Sequence, residues 1–212
     1  MIGIADYGMG NLFSVSKALE RLGVPYFLSE DESELMAADA LILPGVGSYR
    51  DAMERLSETG LAKMVKEFAA TGKPLLGICL GMQLLFEESE ENGPTKGLGL
   101  LSGSCHMFPG RSADGNTYKV PHMGWNNLSF VRSSDILTNI EEDYVYFVHS
   151  FYVKTNEQDV LIAAAEYDVV VPAVVGKGNI YGMQFHPEKS GSLGMELLRN
   201  FTRLAEERKA VQ

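Results

Sequence analysis

The chain of 212 residues is 45% hydrophobic and 22% charged, the composition of one globular domain able to bury roughly 70% of its unfolded surface. Its formal charge of −10 argues against a surface that neutralises nucleic-acid phosphates or anionic lipid, and fits a small neutral or zwitterionic substrate. Two cysteines, with no CxxC pair and no Cys/His cluster, support neither a disulfide framework nor a zinc site, so a reducing cytoplasm is the simpler setting. The start "MIGIADYGMGN" lacks a basic n-region and a long apolar h-region, and no apolar run reaches the about 18 residues of a spanning helix.

In chain order, "MIGIAD" reads as a strand and "NLFSVSKALERLG" as a helix, with Leu12, Val15, Leu19 and Leu22 at spacings of three and four and Gly23 as its stop. "VPYFLS" and "ALILPG" read as two further strands. "LAKMVKEFAATGK" is a helix with Leu61, Val65 and Phe68 on one face, followed by the strand "PLLGI" and the helix "LGMQLLFEES". This alternation is that of βαβ units around a parallel sheet. After Gly93 come short segments rich in β-branched and aromatic residues, "LGLLSG", "TYKV", "NNLSFV", "YVYFVHSFYV", "VLIAAAEY" and "NIYGMQF", which suggest an antiparallel region. "HMGW" has the texture of a loop, and "GSLGMELLRNFTRLAEERK" is a closing amphipathic helix through Leu193, Leu197, Phe201 and Leu204. The expected fold is α/β: a single domain over residues 1–212, with an open, mostly parallel sheet flanked by helices and an added antiparallel region in the second half.

In "GICLG" two glycines stand at minus two and plus two from Cys79, the spacing of a nucleophile elbow. A strand must turn sharply into a helix there, and a side chain at Gly77 or Gly81 would collide across the turn. The apex residue is then held in an uncommon backbone conformation and projected outward, beside the positive end of the following helix, which favours a thiolate. The alternative is a buried packing cysteine, since Cys is among the most buried residue types.

A thiolate attacking an acyl carbon needs an imidazole, and the imidazole gains from a carboxylate that fixes its tautomer. Of His106, His122, His149 and His186, only His186 has a carboxylate two residues on, Glu188, with Pro187 stiffening the link.

The segments "LPGVGSY", "LLGICLGMQ" and "QFHPEKS", in that order, resemble the class I (triad) glutamine amidotransferases over essentially the whole chain. The resemblance implies Cys79 as nucleophile, His186 as general base and acid, and Glu188 as the residue that orients His186. It implies hydrolysis of the glutamine side-chain amide through a γ-glutamyl thioester, with no cofactor. Elbow geometry offers the Leu80 N–H as one oxyanion donor, and "PGVG" a second, at Val46. Gly45 and Gly47 would let that loop turn or flip its peptide. Gln83 lies one helical turn after Cys79 and can line the same pocket, and the family places Ser150 and Phe151 there through their backbone groups.

Within the family, "IADYGMGNLFSV", "PGVGSYRDAM", "VPHMGWNNL", "YFVHSFY" and "FHPEKSG" are similar to members that work as heterodimers and supply ammonia to a separate (βα)8-barrel cyclase. That resemblance implies a partner face formed by Asn11, His122, Trp125 and Lys189. A dinucleotide fingerprint at "DYGMGN" is disfavoured, because Phe13 stands where the third glycine would be. As the only tryptophan, Trp125 is by type either core or interface anchor. Glu87, Glu88, Glu90 and Glu91 are expected to be a solvated helix end, and Cys105 structural. A partner-free thiol hydrolase of γ-glutamyl compounds and a non-catalytic binding module are the competing classes.

Overall fold

The computed structural model describes residues 1–211, so Gln212 of the expected domain lies outside the described residues. The first half runs β1 (Ile2–Ala5), α1 (Leu12–Leu22), β2 (Tyr26–Ser29), α2 (Glu32–Met36), β3 (Ala40–Gly45), α3 (Tyr49–Glu58), α4 (Leu61–Ala70), β4 (Leu75–Cys79) and α5 (Leu80–Leu84). Then follow β5 (Glu88–Ser89), β6 (Thr95–Lys96), β7 (Ser104–Met107), β8 (His122–Asn127), β9 (Ser129–Phe130), β10 (Tyr144–His149) and β11 (Phe151–Lys154). The chain closes with β12 (Leu161–Glu166), β13 (Val170–Lys177), β14 (Ile180–Met183) and α6 (Gly191–Val211).

An eight-stranded sheet of order β2-β1-β3-β4-β14-β13-β12-β9 forms the centre. Its first five strands are parallel and its last three add antiparallel. Strands β1, β3 and β4 are buried along their whole length, because helices cover both faces and their apolar runs need no polar alternation. Ile42 and Leu76 pack with Val15 and Leu19 of α1 and Leu197 and Phe201 of α6 on one face, and Leu41, Leu43 and Leu75 pack with Leu56, Val65 and Phe68 on the other. Two smaller sheets, β10-β8 and β11-β7-β5-β6, stand beside it.

Several expectations are corrected. The helix expected through "LGMQLLFEES" stops at Leu84. The N–H groups of Leu98, Leu100 and Gly99 donate to the carbonyls of Leu84, Leu85 and Phe86, the acceptors that further helical turns would have used. For the same reason "LGLLSG" is not a strand: its amides are committed to capping α5. "TYKV" contributes only the isolated bridge of Thr117 to Arg111. "HMGW" is not a loop but part of β8. Helix α3 is additional to the elements expected from sequence; Ser48 caps it by accepting the Asp51 N–H, and Tyr49, Ala52, Met53 and Leu56 give it a buried face at helical spacing. Strand β13 was also missed, its Pro172 being a residue that ordinarily counts against a strand.

Phe201 is fully buried between α6 and the sheet. Phe201→Ala is expected to lower unfolding stability by about 3–5 kcal/mol, read as a fall in the denaturant midpoint at unchanged slope.

Candidate active site

Cys79 ends β4 with φ 55° and ψ −112°, outside the wells open to most side chains, a strain costing on the order of 1–3 kcal/mol. The flanking glycines make that turn possible by close approach. A Cβ on Gly77 would lie 2.5 Å from the Gly81 carbonyl oxygen, and one on Gly81 only 1.9 Å from the Leu43 oxygen. Gly45, paired with Cys79 across β3 and β4, is equally restricted: its Cβ would sit 2.7 Å from the Gly81 nitrogen. Of the two glycines expected to give the "PGVG" loop its backbone freedom, only Gly47 has a positive φ, 97°; Gly45 is required by crowding.

His186 follows β14, placing it beside the end of β4. Its N–H donates to the Tyr146 carbonyl, and the Ser190 hydroxyl donates to the His186 carbonyl while accepting the Tyr146 N–H. His186 Nδ1 lies 2.8 Å from Glu188 Oε1, both side chains being almost wholly buried. Nε2 is therefore the nitrogen left for Cys79. Burial disfavours a charged imidazole, but hydrogen bonding and charge from Cys79 and Glu188 outweigh it and raise His186 from 6.5 to about 9. The site lies at the carboxyl ends of β3 and β4, where open α/β sheets place ligands.

A cavity of about 370 Å³ is lined by Cys79, Leu80, Gln83, Val46, Gly47, His149, Ser150, Phe151 and His186, a size suited to a small molecule. Glu188 acts on it only through His186. Leu80 opens α5, so its N–H has no acceptor within the helix. The Val46 N–H, in contrast, is turned to the Met9 carbonyl at 3.4 Å, at the long end for a hydrogen bond. Gln83 is buried, its Nε2 donating to the Phe151 carbonyl at 2.9 Å and to Gln184 Oε1 at 3.1 Å.

Four residues near the site escaped the sequence reading. Tyr7 donates its hydroxyl to the Pro44 carbonyl at 2.7 Å, pinning the start of the "PGVG" loop, and burial and then Cys79 raise its phenol. Gln184 and His149 contact the Gln83–Phe151 pair. Glu91, expected on a solvated helix end, lines the cavity and accepts the Tyr49 N–H, with burial raising its carboxyl. Tyr7, His149 and Gln184 lie inside the segments "DYGMGN", "YFVHSFY" and "QFHPEKS", but nothing in those segments assigns them a contact with the cavity.

Of the expected partner face, Trp125 is 56% exposed and Lys189 is exposed. Asn11 is half-buried and caps α1 by accepting the Ser14 N–H. His122 is a correction: it is 2% exposed, because alternation along β8 turns Met123 and Trp125 outward and His122 inward. Cys105 is fully buried, which raises its thiol. No described helix is long and apolar enough to cross a membrane.

The class I glutamine amidotransferase family model matches residues 4–204, and the chain belongs to that family. Among its relatives, the imidazole glycerol phosphate synthase subunit HisH of Geobacillus sp. (strain WCH70) is 65% identical over 97% of this chain and 98% of its own length. The same-named subunit of Bacillus subtilis (strain 168) is 59% identical over 99% of both. Among solved structures, a glutamine amidotransferase superposes with TM-score 0.74 at 23% identity over 97% of this chain and 98% of that one. PurLQS from Thermotoga maritima gives 0.71 at 22% over 95% and 97%; both show the shared fold.

Burial holds His149 at about 3 and His122 at about 4. Unfolded, both take a proton near 6.5, so between about 6.5 and 4 the unfolded chain binds more protons and stability falls as pH falls. His186, raised instead, contributes stability fully below about 6.5 and loses it as pH climbs through about 9, so it is flat in the acid interval. Each buried imidazole steepens the acid loss by up to ~1.4 kcal/mol per pH unit. Denaturant midpoints at pH 7 and pH 5 are expected to differ roughly half as much in His122→Gln as in the parent chain.

Proposed function

We propose that this chain is the glutaminase subunit of imidazole glycerol phosphate synthase, folded as one glutaminase domain. It hydrolyses glutamine to glutamate and ammonia. The ammonia passes to a separate (βα)8-barrel cyclase, with which the chain forms a heterodimer and which makes imidazole glycerol phosphate and AICAR in histidine biosynthesis. The observation that carries this is the strained Cys79 turn facing a His186–Glu188 pair across one cavity, in a chain 65% identical over nearly its whole length to a subunit of that name.

In this reading Cys79 Sγ attacks the glutamine amide carbon as its proton moves to His186 Nε2. The tetrahedral adduct collapses to a γ-glutamyl thioester, and His186 returns the proton to the departing ammonia. His186 then takes a proton from water, which cleaves the thioester and regenerates the thiol. Glu188 holds Nδ1–H, keeping Nε2 directed at the sulfur and supporting the imidazolium between the two transfers. The Leu80 N–H is the standing oxyanion donor. Val46 supplies the second only after its peptide leaves the Met9 carbonyl, a rotation about Gly45 ψ and Val46 φ. Loss of one such donor costs about 10²–10³ in rate, so an isolated chain in this state is a slow glutaminase.

Exposed Trp125 and Lys189, with the Asn11 turn, supply the partner face. The protein works in the cytoplasm, which the lack of a disulfide framework favours.

With the cyclase and its ribonucleotide ligand present, Cys79→Ala is expected to abolish glutamine-dependent turnover and leave turnover on added ammonia unchanged. Glutamine hydrolysis at full rate by the isolated chain would sink the partner-gated reading in favour of a free-standing hydrolase. Glutamine turnover that survives in Cys79→Ala would remove the thioester.

A further inference from the structure

Thioester chemistry has no use for His122 and His149, yet the fold buries both and sets them opposite each other across the β8-β10 ladder. Buried imidazoles in an apolar setting call for a reason. His122 lies flat between the rings of Phe147 and Tyr167, at centroid distances of 4.4 and 4.1 Å, and Phe108 stands edge-on to both histidines. Their hydrogen bonds form one continuous chain. His149 Nδ1 is 2.8 Å from the Phe151 carbonyl oxygen, His149 Nε2 is 2.9 Å from His122 Nδ1, and His122 Nε2 is 3.2 Å from the Asn126 amide nitrogen.

The direction of that chain follows from its ends. Burial keeps both imidazoles neutral at ordinary pH, so each has one N–H and one acceptor nitrogen. A carbonyl can only accept, so His149 carries its proton on Nδ1 and donates it to Phe151. Its Nε2 must then accept from His122 Nδ1–H, and His122 Nε2 accepts from the Asn126 NH2. No other arrangement satisfies all three contacts.

The receiving carbonyl belongs to the cavity. Phe151 O also accepts from Gln83 Nε2, so its two lone pairs are filled by His149 and Gln83. Gln83 has its NH2 drawn to Phe151 and Gln184, which leaves its Oε1 as the end free to face a substrate. An acceptor there suits a group rich in N–H, the carboxamide or ammonium of glutamine, and repels a carboxylate.

We propose that His149, backed by His122, is a positioning residue for the substrate: its Nδ1–H locks the Phe151 carbonyl and, through it, the orientation of Gln83 in the glutamine pocket. The effect is on binding of the substrate rather than on the reacting sulfur. This rests on the glutaminase reading above.

The test uses the assembled complex with its cyclase. His149→Leu removes the donor to Phe151. Its glutamine KM is expected to rise about tenfold, the scale of one neutral hydrogen bond, with kcat changed less than about threefold. His149→Asn keeps an N–H at nearly the position of Nδ1 and is expected to bring KM back to within about threefold of the parent. A merely structural role would make both variants bind alike, in step with their thermal stability. An unchanged KM in His149→Leu, or an equal rise in the two variants, overturns the proposal. Should His149→Leu fail to assemble, His122→Phe fills the same aromatic stack without the N–H to His149. A KM rise of about threefold is expected there, and an unchanged KM is the overturning result. Ammonia-dependent turnover is the control for an intact partner. A parent complex that turns over ammonia but no glutamine would overturn the function itself, an outcome distinct from failure of the histidine pair alone.

Discussion

Contact between the backbone of Gly81 and the carbonyl of Leu43 is the constraint on which the site depends. The turn out of β4 passes so close to β3 that no Cβ fits at Gly81 or Gly45, and it folds back over β4 so tightly that none fits at Gly77. That closeness drives Cys79 into its strained conformation and sets it at the carboxyl end of the central strand β4. A strain of this order is held only because two apolar layers grip the strands on either face. The reactive group is thus held by fully buried strands at the centre of the sheet, and its geometry follows from their packing.

The other half of the site is held by a different device. His186 does not sit in a strand. It is fixed by backbone bonding to Tyr146, by Ser190 bridging β10 and the turn at Pro187, and by α6 lying against that turn so tightly that a Cβ on Gly194 would be 2.1 Å from the Pro187 oxygen. The nucleophile therefore answers to the sheet, and its base to the junction of β10 with α6. The small sheets add a third layer of control, since the Phe151 carbonyl receives both Gln83 from α5 and His149 from β10.

Local chemistry made much of this legible in advance. The glycine spacing around Cys79 and the His-Pro-Glu run are short-range patterns whose geometry is set by neighbouring residues, and the apolar runs of β1, β3 and β4 can be read because both their faces are buried. What escaped depends on contacts remote in sequence. Helix α5 ends because residues 98–100 take its carbonyls, and nothing within "LGMQLLFEES" foretells that. Glu91 reaches the site from a segment that carries no motif, and Tyr7 and Gln184, though inside "DYGMGN" and "QFHPEKS", reach it through contacts with Pro44 and Gln83 that lie far off in sequence. Placing His122 on the partner face with Trp125 fails because β8 is a strand, and period-two alternation sends the two side chains to opposite faces. The Val46 N–H was expected at the oxyanion, but its acceptor here is Met9, a residue 37 positions earlier in the chain.

The burial of Cys105 has a practical corollary. The protein holds two thiols, one sealed in the core with its ionisation suppressed and one opening on the cavity. A thiol reagent applied to the folded chain therefore counts working sites, with no mutation needed to silence a background. The second equivalent appears only when the core opens, so a single titration reports the active fraction of a preparation first and its integrity afterwards.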